Sequence, residues 1–156
     1  MKTERRAELF TRTGRPRHNT VEVWTGPSRI EGSPLVVLVT GLRGSTNGKT
    51  GDMVQSYILR SDMDPLQALR TGADTAQCGG CIHKAKTYNG STWSERSCYV
   101  RVDTAPLGIY RAWDRGNVPR VTLSELSELT RDRPVRLGTY GDPASVPLAV
   151  WNAYTA

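Results

Sequence analysis

"PLVVLVTGLRGSTNGKTGDMVQSYILRSD" (Pro34–Asp62) decides how this chain is read. An apolar run leads into a glycine-rich loop ending in Gly48-Lys49-Thr50, the outline of a phosphate-cradling loop. A Walker A loop needs Gly, four residues, then Gly-Lys-Ser/Thr, because that length curls the backbone amides around the phosphates. Counted back from Gly48, the required glycine falls on Arg43; Gly44 stands too close and Gly41 too far. Such a loop also opens a helix whose N-terminus faces the phosphate. Here Met53, Gln55, Tyr57 and Leu59 alternate with Val54, Ser56, Ile58 and Arg60, which is the period of a strand. The stretch reads as strand, connecting loop, strand, and the nucleotide-loop reading is set aside.

Upstream, Val21–Trp24 alternates toward a Gly26-Pro27 turn, a short strand. The β-branched run Leu35–Thr40 has the character of a strand buried on both faces. Downstream, Asp64 caps a helix begun by Pro65 and closed by Gly72. Glu95–Asp103 reads as a further strand, and "APLGIYRAWDRG" as a proline-started helix closed by Gly116. Thr122 and Glu125 make a capping box for a helix lined by Leu123, Leu126 and Leu129. The remainder gives a strand, a Gly/Pro/Asp turn and a last helix from about Ser145. Strands first, then strands mixed with helices, predict an α+β fold: a small mixed or antiparallel sheet, short helices and a zinc-knuckle-like loop. "APLGIYRAW" and "VPLAVWNAY" match at a spacing of 41, a pattern two proline-capped amphipathic helices reach independently.

The chain has 156 residues, enough for one domain with its own core. No apolar stretch approaches the roughly 20 residues of a membrane span, and the N-terminus lacks a signal-peptide core. A cytoplasmic protein with reduced thiols is expected. The net charge is +6, of which residues 1–19 hold +4 through Lys2, Arg5, Arg6, Arg12, Arg15 and Arg17 against Glu4 and Glu8. This segment predicts a basic N-terminal arm, with residues 20–156 forming a single α+β domain. Such an arm suits a polyanion or serves as a solubilising tail.

The chemistry concentrates in "QCGGCIHK" and "RSCYV". Cys78 and Cys81 form C-x2-C around two glycines, His83 follows two residues later, and Cys98 arrives at the next predicted strand. Three thiolates and an imidazole make a complete tetrahedral zinc set, which would hold the fold together and leave no site for an activated water. An iron–sulfur cluster on the three cysteines, or reduced thiols without metal, are the alternatives. The deaminase signature is absent, because His83 follows the cysteine pair and precedes Lys84-Ala85. No Ser-His-Asp set is apparent with two histidines in the chain, so enzyme is the minority reading.

"NGKTGDMVQSYILRSDMDPLQALRTGADTAQCGGCIHK", "SCYVRVDTAPLGIYRAW" and "VRLGTYGDPASVPLAVW" together resemble a set of uncharacterised proteins encoded by bacteriophages and prophages. The likeness covers roughly residues 34–154, and it implies a shortened relative in a host cytoplasm, with no activity to carry over. A fainter likeness is to phage proteins related to radical-SAM enzymes. Their C-x3-C-x2-C spacing differs from that of Cys78, Cys81 and Cys98.

Three functional expectations follow. The first is a small zinc-stabilised protein binding nucleic acid or a host nucleic-acid-processing complex through Arg5, Arg6, Arg12, Arg15, Arg17, Arg43, Lys49, Arg96 and Arg101. Tyr88, Trp93 and Tyr99 would stack bases. The second is an inhibitor docking on an acidic patch of a host defence complex. The third is a metal-dependent enzyme fragment, with Asp103, Tyr140 and Asp142 as its polar candidates.

Overall fold

A computed structural model describes residues 3–46, 48–88, 91–92 and 95–156. In chain order these form α1 (Thr3–Leu9), β1 (Thr20–Pro27), β2 (Pro34–Thr40) and β3 (Val54–Arg60). Then come α2 (Pro65–Thr71), α3 (Thr75–Cys78), β4 (Thr87–Tyr88) and β5 (Ser91–Thr92). The last are α4 (Ala105–Asp114), α5 (Leu123–Thr130), β6 (Val135–Tyr140), a 3-10 turn (Pro143–Ser145) and α6 (Leu148–Tyr154).

The sheet runs β1-β2-β3-β6, antiparallel except for the parallel β3–β6 pair. The α+β expectation holds, with a mixed sheet. The alternation in β2 and β3 sorts two cores. Leu35, Val37, Val39, Val54 and Ile58 face one side, with Leu9, Phe10, Leu126, Val150 and Tyr154 from α1, α5 and α6 packed over them. Val36, Leu38, Tyr57 and Leu59 face the other, under Tyr110 of α4 and the partly buried Leu66 and Leu69 of α2. Each fully buried leucine or isoleucine contributes about 1.5–3 kcal/mol, so both faces of β2 and β3 are needed to hold the layers together.

The caps read from sequence are present. Asp64 accepts from the amides of Leu66 and Gln67, and Gly72 closes α2 in the left-handed region. Thr122 and Glu125 complete a capping box on α5. The two helices of the matched pattern serve different cores, α4 on one face and α6 on the other. Two expectations change. Residues 95–100 are irregular rather than a strand. The amides of Ser97 and Cys98 both donate to the His83 carbonyl, and Arg96 takes the carbonyls of Cys98 and Val100, which leaves no ladder to join. Residues 1–19, expected as a basic arm, carry α1 instead, and Leu9 and Phe10 at its end are seated in the core.

Candidate functional site: a thiol-lined cavity

β6 does not run evenly beside β3. Val54 pairs with Val135 and Gln55 with Arg136, but Tyr57 pairs with Tyr140, so β6 holds two residues more than β3 across the same span. Buried Ser56 holds this bulge open: its hydroxyl donates to the Arg136 carbonyl (3.1 Å) and accepts from the Gly138 amide (2.9 Å). Bulges of this kind re-aim the side chains that follow. The turn after it is tight. Gly138 has φ +59°, and a Cβ there would sit 2.5 Å from the Gly141 carbonyl oxygen. Gly141 has φ +93°, and its Cβ would meet the Ile58 Cβ at 2.7 Å. Only glycine fits either place, which explains the spacing in Gly138-Thr139-Tyr140-Gly141.

Opposite this strand end lies α3, a single turn. Its backbone is locked from both sides, with the Ser28 hydroxyl donating to the Ala76 carbonyl and the Asp142 amide to the Gln77 carbonyl, each at 2.5 Å. Gly79 at φ +55° ends the turn and hands the chain to Gly80 and Cys81. Between the two elements is a cavity of about 630 Å³. Cys78, Cys81 and Cys98 all line it, together with Asp74, Lys84, Arg96 and the strand-end residues 138–143.

Two contacts shape its rim. Lys84 Nζ lies 2.9 Å from Asp74 Oδ1 as an ion pair and donates to Thr75 Oγ1 at 2.6 Å, tying the Cys81–Lys84 loop to the start of α3. Arg96 Nη1 donates to the carbonyls of Cys98 (3.2 Å) and Val100 (2.7 Å), fixing the third cysteine's segment. Burial pushes the Cys78 thiol up to about 12, and the charges of Asp74, Cys81 and Cys98 add to the shift. Burial also raises the Asp74 carboxyl, against the pull of Lys84, and raises the Tyr140 phenol.

The three cysteines separated in sequence therefore line one cavity. His83 does not line the cavity; its Nδ1 is 3.1 Å from the Ser97 hydroxyl. Among the described residues, no group of three or more His, Cys, Asp or Glu side chains is gathered closely enough to hold a single ion. A zinc ion with sulfurs at about 2.3 Å requires them roughly 3.8 Å apart.

The predicted basic residues disperse, and most are engaged. Arg5 binds Glu125 and Glu8, each at 2.8 Å, and Arg6 binds Glu128 at 2.9 Å. Arg17 Nε donates to the carbonyls of Ala7 and Phe10, and Arg101 pairs with Asp103 at 2.8 Å. Arg12, Arg15, Arg43 and Lys49 are exposed. Tyr99 is 74% exposed on the cavity's edge, with the Arg136 guanidinium 5.8 Å from its ring centre. Trp93 and the Tyr88 side chain lie outside the described residues.

Sequence reading missed Ser56, Asp74, Gln77, Lys84 and Thr139. Nothing in their spacing marked them, because their roles depend on the bulge and on α3 meeting β6. Compared with protein-family models, curated proteins and solved structures, the chain matches none. Among the described residues no helix is long and apolar enough to cross a membrane.

Proposed function

We propose that Cys78, Cys81 and Cys98 hold a thiolate-bound metal centre in this cavity, an iron–sulfur cluster in preference to a single zinc ion. The observation that carries the reading is that all three cysteines of the chain line one cavity, from two segments joined through the His83 carbonyl. The preference for a cluster rests on the donor set. A single closed zinc site asks His83 to turn in and the sulfurs to crowd together, whereas a cluster spreads its thiolates over several irons. Cys78, Cys81 and Cys98 would hold such a cluster, which would supply electron exchange when bound. Lys84 and Arg96 would balance part of the thiolate charge.

Anaerobic purification with iron, sulfide and zinc analysis tests this. Brown protein carrying iron and sulfide supports the cluster, and colourless protein with one zinc overturns it in favour of the scaffold ion.

Nucleic acid as partner, or a host complex that handles it, is a second reading. It is supported by Arg12, Arg15 and Arg43, which are exposed and form no ion pair among those described. A gel shift at low salt that fades as salt rises is its expected result; no shift at low salt removes it.

A further inference from the structure

The wall of the cavity that carries no sulfur is unusual. Tyr140 is 3% exposed and Thr139 is 8% exposed, and neither hydroxyl has a hydrogen-bond partner. Behind them Gln77 is fully buried, and its amide approaches the Tyr140 hydroxyl without forming a well-aligned hydrogen bond, so among the described residues neither group has a fully formed partner. An unpaired buried polar group costs a protein stability, so natural structures hold few of them. Three neighbouring residues left in this state, on and behind the wall of a cavity sized for a small molecule, mark a place where something else supplies the partners. The cavity also stands at the carboxyl end of the parallel β3–β6 pair, where open sheets with parallel strands bind ligands.

The charged groups that line the cavity already have contacts of their own. Lys84 is spent on Asp74 and Thr75, Arg96 on two carbonyls, and Asp142 Oδ1 accepts from the Ala144 amide. The buried groups without a partner on the β6 side, the Thr139 and Tyr140 hydroxyls, are neutral. Ile82, Val100, Pro143 and the Tyr99 ring add apolar surface to the lining.

We propose that the cavity takes a small, uncharged, mostly apolar organic molecule that hydrogen-bonds the hydroxyls of Thr139 and Tyr140. The strained Gly138–Gly141 turn and the Ser56-held bulge exist to present those two side chains. The inference goes beyond the metal reading and does not rest on it, since the hydroxyls lie on β6 and the thiols on the facing segments.

The test uses 2-quinolone, a neutral bicycle with one donor and one acceptor, beside its charged counterpart quinoline-2-carboxylate and inorganic phosphate. Binding is followed by ligand-observed NMR on the purified full chain, with metal content recorded. 2-Quinolone is expected to bind in preference to the other two. Tyr140→Phe and Thr139→Val are each expected to weaken it roughly three- to tenfold. Both variants are also expected to raise the melting temperature of the ligand-free protein by roughly 2–4 °C, because each deletes an unpaired buried hydroxyl. A hydroxyl that serves only the fold, or only a buried water, gives the opposite sign. The proposal is overturned if 2-quinolone fails to bind, if it binds the variants as well as the parent, if the carboxylate or phosphate binds better, or if both variants melt lower. Ligand binding to iron-free protein with the expected variant effects supports the proposal while sinking the cluster, so the two readings fail separately.

Discussion

The two ends of the β3–β6 pair are built on opposite terms. At the amino end, Arg133 donates to the carbonyls of Leu42, Gly41 and Asp52 and to the Asp52 carboxylate, within 2.7–3.0 Å. Tyr154 closes the same end from α6, its hydroxyl donating to the Val54 carbonyl at 2.9 Å. One guanidinium there answers the backbone of a long connecting loop. At the carboxyl end, the Thr139 and Tyr140 hydroxyls stand without a well-formed partner among the described residues, around a cavity that the three cysteines also line. The same two strands are thus anchored at one end and held open at the other. A fold spends hydrogen bonds where it needs rigidity and leaves them unspent where something must bind.

The largest expected effect lies at the anchored end. Arg133→Ala leaves three carbonyls without their donor and should lower unfolding free energy by about 3 kcal/mol, read from the denaturant midpoint. Metal content should not change; loss of metal in the folded variant would break the separation of the two ends. Gly141→Ala should follow at about 2–3 kcal/mol, because its Cβ meets Ile58 and the backbone there is left-handed. It should also deform the cavity wall, so its metal or ligand binding should fall with stability. Ser56→Ala removes both bonds that hold the bulge and should cost about 1–2 kcal/mol. A cavity unaltered in that variant would show that the bulge does not depend on Ser56.

A smaller effect tests the thiols. In metal-free protein, with burial raising its thiol to about 12, half-buried Cys78 should alkylate far more slowly than exposed Cys81 at mildly alkaline pH, as mass spectrometry would read. Equal rates would mean that the pocket is open on both sides. The smallest effect concerns the N-terminal segment. The Arg5 hydrogen bond holds the Glu125 carboxyl below its usual range. Its folded pKa is depressed, so its stabilisation is complete above roughly pH 5 and fades as pH falls through the folded value. Glu125→Gln should therefore lose stability relative to wild type at neutral pH, with the gap closing on acidification. A gap independent of pH would mean that the pair contributes through packing alone.

The sheet was legible because its signal is local. The continuous apolar run of β2, the alternation in β3, Asp64 before Pro65, and Thr122 three residues before Glu125 each act within one element. That Cys78, Cys81 and Cys98 line one cavity could also be anticipated, since a C-x2-C pair and a later lone cysteine invite one site. What escaped was non-local. The bulge in β6 depends on Ser56, 80 residues away, and the engagement of Arg5 depends on Glu125, 120 residues away. A count of positive charges in residues 1–19 could not reveal that Arg5, Arg6 and Arg17 are tied into the fold. The failed strand at 95–100 has the same cause, because its backbone bonds go to the His83 carbonyl and Arg96 instead of a neighbouring strand.

The central proposal is that the three cysteines lining the cavity at the open end of the sheet hold one metal centre. Iron and sulfide content of anaerobically prepared wild type, set against Cys98→Ser, tests it most directly. The account predicts bound iron and sulfide in the wild type, and their loss from a variant whose circular dichroism spectrum is unchanged. Iron retained in full by Cys98→Ser, or absent from the wild type, would contradict it.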